Sequence, residues 1–278
     1  MTSATKYFSI FTIVIVAAFQ LSAQNTLDDQ FKYASKLFNE ENYFDAVTEF
    51  KRLLFFDETG KYSYEANKII GLSYKQGAKF SDAIHHFSLA EINAGTSQEV
   101  YESKIEIIKI NILRRTTERA LSLLNNLKSD ERFNDKIDEI NYWTGWAYIF
   151  ADEWEKASLS FASVNSELEV FCDSVNNDFY NVTLANALSI IPGAGQFYTG
   201  EYVSGIISIG WNVLWGYLTI NAFKDDRIFD GVMIGTLLWW RFYSGNLQNA
   251  EKFAVQKNLK KTNEALHYLQ SSYNGKKP

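Results

Sequence analysis

The sequence predicts an all-α protein in two parts, a helical solenoid followed by a helical transmembrane hairpin. Three observations carry this. Alanine recurs every 37 residues at Ala46, Ala83, Ala120 and Ala157, with a bulky apolar residue four positions after each. Pro192, the only proline before the terminal Pro278, sits in the glycine-rich run Pro192-Gly193-Ala194-Gly195-Gln196-Phe197-Tyr198, which must break a helix. Beyond that run, the 21 residues from Val203 to Phe223 carry no charge, enough to cross roughly 30 Å of hydrocarbon as a helix.

Composition sets the bounds. A chain of 278 residues, 46% hydrophobic and with two prolines, is ordered and long enough for one or two domains. The net charge of −6 is unevenly spread: Gln24 to Tyr180 holds 27 acidic against 17 basic residues, whereas Asn181 to Pro278 holds 9 basic against 6 acidic. An acidic array argues against a nucleic-acid partner, whose footprint is a basic face. Cys172 is the single cysteine, so neither an intramolecular disulfide nor a thiolate metal cluster is available, and a packed thiol beside Phe171 is expected.

The N-terminus reads as an address. Lys6 precedes an apolar run from Tyr7 to Phe19, and Leu21-Ser22-Ala23 then supplies small residues, the pattern of a cleavable export signal over 1–23. An uncleaved anchor is the alternative. No cysteine flanks the cut, which excludes a lipid-modified one.

From Leu27 the chain repeats. Four residues after the recurring alanines stand Phe50, Phe87, Leu124 and Phe161; twelve before them stand Ala34, Gly71, Ile108 and Gly145; nine before them stand Leu37, Tyr74, Asn111 and Tyr148. A small residue on one helix lets a second approach, and the large residue on the second fills the groove beside it. Neither helix buries its face alone, so successive pairs stack. The pattern resembles the tetratricopeptide repeat (TPR) family, with four TPR-like repeats over 27–174. The period exceeds the family's usual 34 residues, no proline closes a repeat, and the third unit has Ile108 and Asn111 where small and aromatic residues belong. The resemblance implies partner docking on the face formed by the first helices, with Lys32, Asn67, Lys75, Lys104 and Trp143 as candidates against a plain reading of solvated charge. His85 and His86 are adjacent rather than spaced as a helical metal pair, and read as surface and packing residues.

Residues 175–183 read as a polar linker. Residues 184–258 read as a membrane domain: a short segment, Leu184 to Ile191, re-entrant or interfacial, then two spans, about 203–223 and 228–243, around the charged turn Lys224-Asp225-Asp226-Arg227. Trp239, Trp240 and Arg241 suit an interface, and Gly205, Gly210, Gly216, Gly231 and Gly235 suit close helix approach. Core helices of a soluble domain are the competing reading, since Asn212, Asn221 and Asp230 interrupt the apolar run. Residues 259–278 read as a basic polar tail. Pro192, Gly193, Gly195, Gln196, Tyr198 and Gly200, with Arg241, Tyr243, Gly245 and Asn246, resemble a Pro-Gly-x-Gly-Gln-x-Tyr membrane hairpin domain of bacterial envelope proteins; the resemblance implies membrane residence and no activity.

No Gly-rich phosphate loop with its lysine, no Gly-x-Ser-x-Gly and no metal-spaced histidine cluster is present, so no catalytic, cofactor or metal residue is expected. The expectation is a non-enzymatic, membrane-tethered scaffold of the bacterial envelope. It would be exported, facing the periplasm and anchored in the inner rather than the outer membrane, with protein partners on the repeats, lipid around the hairpin and no small-molecule substrate. The alternative is a transport or insertion accessory in which the Pro-Gly segment is the active element.

Overall fold

The computed structural model describes residues 26–278; the expected export segment, 1–23, lies outside them. Every regular element among the described residues is helical. The chain divides into two units, the first ending at Ser166 and the second spanning Glu167–Lys277.

The first unit is a run of helix pairs: α1 (26–39) with α2 (Tyr43–Phe56), α3 (Ser63–Gln76) with α4 (Phe80–Ile92), α5 (Ser97–Leu113) with α6 (Thr117–Lys128), and α7 (Ile137–Phe150) with α8 (Trp154–Phe161). One turn joins each pair. Glu41, Ala78, Arg115 and Asp152, again 37 apart, all adopt positive φ, between 53° and 62°. In each case the next N–H bonds back to a carbonyl five residues earlier, Asn42 to Leu37, Lys79 to Tyr74, Thr116 to Asn111 and Glu153 to Tyr148, at 2.9 to 3.0 Å. These are Schellman closures, which satisfy the last carbonyls of one helix while reversing the chain. The expected repeat length is therefore visible in backbone geometry as well as in side chains.

The small-against-large pairing is met where glycine supplies it. A Cβ on Gly71 would meet the Phe87 ring at 3.0 Å, and one on Gly145 would fall inside the Phe161 ring's contact distance. Ala34, Ala46, Phe50, Ala83, Phe87, Ala120, Ala157 and Phe161 are fully buried, Leu37 and Leu124 nearly so, and Tyr74 and Tyr148 half-buried. The third pair replaces glycine and phenylalanine by two mid-sized residues, buried Ile108 and Leu124, a trade that keeps the volume. Asn111, in the tyrosine position, accepts from the Thr116 hydroxyl at 2.8 Å and ties down its own turn. A capping box at Thr96 and Glu99 starts α5.

The second unit contains α9 (Ser166–Asn177), α10 (Val182–Leu188), α11 (Ala194–Tyr198), α12 (Tyr202–Lys224), α13 (Ile228–Met233), a π-helical turn (Ile234–Trp239) and α14 (Trp240–Ser271). The array was expected to reach 174, but α9 groups with the second unit, because its stripe of Leu168 and Cys172 is fully buried and Phe171 stacks on Tyr268 of α14 at 5.1 Å. The linker 175–183 accordingly begins inside a helix. Past the expected second span, 228–243, the chain stays helical to Ser271, so helix also runs into the expected basic polar tail, 259–278: Gly245 alone does not break it, and the i, i+4 series Asn246, Ala250, Ala254, Asn258, Thr262 gives α14 an inward stripe.

α12 is the one helix among the described residues long and apolar enough to cross a membrane. It is 23 residues long, about 35 Å at 1.5 Å per residue. It turns back through Asp226, φ 57°, into α13, where Gly231 backs onto Phe223. Trp211 and Trp215 stack with Phe242 of α14 at 5.2 and 6.3 Å. Of the glycines expected at close approaches, Gly210 meets nothing.

Candidate functional site

The Pro192 break is built around one side chain. α10 ends at Leu188, and Gly193, φ 88°, starts α11. Only glycine fits there, because a Cβ would lie 2.7 Å from the Gly205 carbonyl oxygen of α12. Gly195 is equally confined, between the Ala185 carbonyl and Ala250, and Gly205 lies under the Phe197 ring. These contacts bring α10, α11, α12 and α14 together at Asn246, which is 2% exposed.

The Asn246 carboxamide serves four partners. Its Oδ1 accepts from the Gly193 N–H, the Gln196 Nε2 and the Ser208 hydroxyl, each at 2.9 Å. Its Nδ2 donates to the Ser189 carbonyl at 2.6 Å. The backbone N–H and C=O groups freed by the break at Pro192 are thus satisfied by a side chain from a helix more than fifty residues away, which is what a buried break requires. Tyr243, one turn before Asn246, donates its hydroxyl to the Ile190 carbonyl at 3.1 Å. Tyr198 accepts the Asn181 N–H at 3.0 Å, and Gly200, φ 76°, closes α11. Asn258 holds both backbone groups of Tyr180, at 2.8 and 2.9 Å. Lys257 pairs with Glu201 at 3.0 Å, and that hydrogen bond raises the lysine's pKa.

Pro192, Gly193, Gly195, Gln196, Tyr198, Gly200, Tyr243 and Asn246 thus fall in one constellation. Arg241 and Gly245 do not join it: Arg241 is exposed and a Cβ on Gly245 would meet nothing. Ser189 and Ser208 belong to the constellation and went unread in the sequence; Asn258, which continues the hairpin resemblance in the sequence, joins it through Tyr180. The signal for Ser208 was its place one turn before Asn212 in an uncharged stretch. The fully buried Gln196 Oε1 and the nearly buried Asn212 Oδ1 find no hydrogen-bond partner among the described residues. The node holds amides, hydroxyls and backbone groups, so its chemistry is hydrogen bonding.

In the first unit, the candidates on the first helices separate. Asn67 and Trp143 are core residues rather than surface contacts. Asn67 Nδ2 donates to the Ser63 carbonyl, which leaves its Oδ1 to accept from His86 Nδ1 at 2.9 Å and fixes that histidine's neutral tautomer. Burial, reinforced by the charge on Lys51, pushes His86 down to about 4. Lys32, Lys75 and Lys104 are each paired, with Asp29, Glu106 and Glu91 at 3.5, 3.0 and 2.9 Å. Lys68–Glu102 and Lys75–Glu106 form two rungs between α3 and α5. Burial opposes the charge on Glu106, but Lys75 and Lys109 outweigh it and hold its carboxyl below the ordinary range. Among the described residues, no three His, Cys, Asp or Glu side chains cluster to hold a metal. No known protein family, no curated protein and no solved structure is found to match the chain.

Proposed function

We propose that this chain is a non-enzymatic, membrane-tethered interaction protein of the bacterial envelope, in which an exported TPR-like array docks a protein partner and a helical hairpin after the Pro192 break holds it in the inner membrane. The array reading is supported by three coincident 37-residue recurrences: the buried alanines, the positive-φ turn residues, and the buried bulky residues Phe50, Phe87, Leu124 and Phe161. Stacked helix pairs of this kind present continuous surfaces that suit protein partners.

The observation that carries the tether is α12. Only 11% of its most apolar window is buried, and Val203, Ile206, Val213 and Tyr217 are each at least 60% exposed. Water tolerates so large a contiguous apolar surface poorly, and hydrocarbon does not oppose it. The test replaces Leu184 to Pro278 by an unrelated membrane anchor. The chimera keeps the partner crosslinks and the cellular function of the full chain if the second unit is a tether.

A second reading makes the break itself the active element of a transport or insertion accessory. It is favoured by the unpartnered carbonyls of Gln196 and Asn212 beside a non-helical segment, because irregular backbone at membrane depth is tolerated where it faces protein or a polar cavity. Under that reading the chimera crosslinks its partner and has lost the cellular function.

A further inference from the structure

Lysines of the first unit are mostly neutralised by its many carboxylates, as with Lys68, Lys75, Lys104 and Lys109. Lys51 of α2 and Lys79 of the α3–α4 turn depart from this: no carboxylate among the described residues lies within ion-pair distance of either, and both converge on one tyrosine. The Lys51 Nζ donates to the Tyr74 hydroxyl at 2.8 Å and lies 5.2 Å from the ring centroid; the Lys79 Nζ lies 5.9 Å from the same centroid. Tyr74 is itself held by His86, stacked on it at 5.5 Å.

Lys51, Lys79 and Tyr74 line a pocket of about 370 Å³, with Val47 and Ser73 buried in its wall and Phe44, 79% exposed, also lining it. That volume is at the small end of the range for ligand sites. The Thr48 and Ser73 hydroxyls are committed to the Phe44 and Ile69 carbonyls, so the lysines carry the recognition. Two ammonium groups with no counter-ion, beside an exposed phenyl ring, are complementary to a carboxylate followed by an apolar side chain.

We propose that this pocket is the docking site for an acidic peptide segment of the partner, its carboxylate held by Lys51 and Lys79 and a neighbouring apolar side chain laid on Phe44 and Val47. The proposal rests on the reading of the array as a docking module and names the chemistry of what it docks.

The full chain in detergent is titrated with two fluorescein-labelled hexapeptides, one reading Gly-Asp-Phe-Asp-Leu-Gly and one with both Asp replaced by Asn. The acidic peptide is expected to bind at least tenfold more tightly than the Asn peptide, and its affinity to fall on raising salt. Lys51→Ala/Lys79→Ala is expected to weaken it at least tenfold and Phe44→Ser severalfold, while all variants keep the parent circular dichroism, since the three side chains are exposed. Equal binding of the two peptides, no binding of either at millimolar concentration, or unchanged binding by the double lysine variant overturns the proposal. So does self-association lost in the same variant, which would seat a second copy of this chain in the pocket. Failure here with array crosslinks to a partner intact leaves the scaffold reading standing; loss of those crosslinks as well overturns the scaffold reading itself.

Discussion

The Phe161 ring occupies the space that a side chain on Gly145 would need, sixteen residues earlier on the partner helix. Phe87 stands over Gly71 in the same relation, at 3.0 Å from the place of its Cβ, where a shift of a few tenths of an ångström restores contact. Gly145→Ala is therefore expected to destabilise the first unit by about 1–3 kcal/mol, less the gain of roughly 1 kcal/mol from replacing glycine within a helix. Gly71→Ala costs less, and the two together set an order. Thermal unfolding of the full chain in detergent, followed by near-ultraviolet circular dichroism, checks it; an equal or reversed order contradicts the packing described.

Ala78 pays the steric cost of positive φ, where glycine would not. Ala78→Gly is expected to stabilise by about 0.5–1 kcal/mol, the relief of strain outweighing the added freedom of the unfolded chain. The same melt reads it as a rise in midpoint, whereas a fall shows that the turn is relaxed as it stands.

Asn246→Leu leaves the Gly193 N–H, the Ser208 hydroxyl and the Ser189 carbonyl without their side-chain partner at the break, while the Gln196 amide keeps only its longer bond to the residue 246 carbonyl. Unmet buried groups cost about 1–3 kcal/mol each, so this variant is expected to lose several kcal/mol. Ser208→Ala removes one donor from an oxygen that has three and costs about 1 kcal/mol or less. Limited proteolysis in detergent distinguishes them: cleavage between Leu188 and Gly200 rises sharply in the first and little in the second.

His86 is neutral when folded, with its pKa lowered from 6.5 to about 4 by burial first and the Lys51 charge second. Between those two values the unfolded chain takes up a proton that the folded chain refuses, so stability is whole above pH 6.5 and falls as pH drops toward 4. The loss is about 3 kcal/mol. His86→Asn, whose Nδ2 stands in for the ring Nδ1–H toward Asn67 but cannot be protonated, is expected to flatten this part of the stability–pH profile. An unchanged slope assigns it to other groups, Glu106 first among them, whose lowered pKa moves stability in the same sense at lower pH.

How much of this the sequence disclosed follows from what each feature depends on. The repeat was legible because packing two helices demands a small and a large residue at fixed offsets, and Gly71 with Phe87 states that demand in residue types. The turns were not, since Glu41, Ala78, Arg115 and Asp152 carry a left-handed conformation that glycine ordinarily announces. The Pro192 break was plain, yet its partner Ser208 was hidden, because a hydroxyl within an apolar stretch reads as a tolerated interruption. The length of α14 was not legible because small and polar inward residues such as Ala254, Asn258 and Thr262 give little apolar periodicity. Lys51 and Lys79 lie 28 positions apart, and only the fold brings both onto Tyr74.

The central claim is that hydrocarbon solvates the second unit from α12 onward while water solvates the first. Membranes carrying the full chain, and a chain ending at Ser166, are washed in alkaline carbonate and then in detergent. The account predicts that the full chain stays in the carbonate pellet and leaves only with detergent, while the shortened chain is released. Full-length protein appearing in the carbonate supernatant, and remaining dispersed there without detergent, contradicts it.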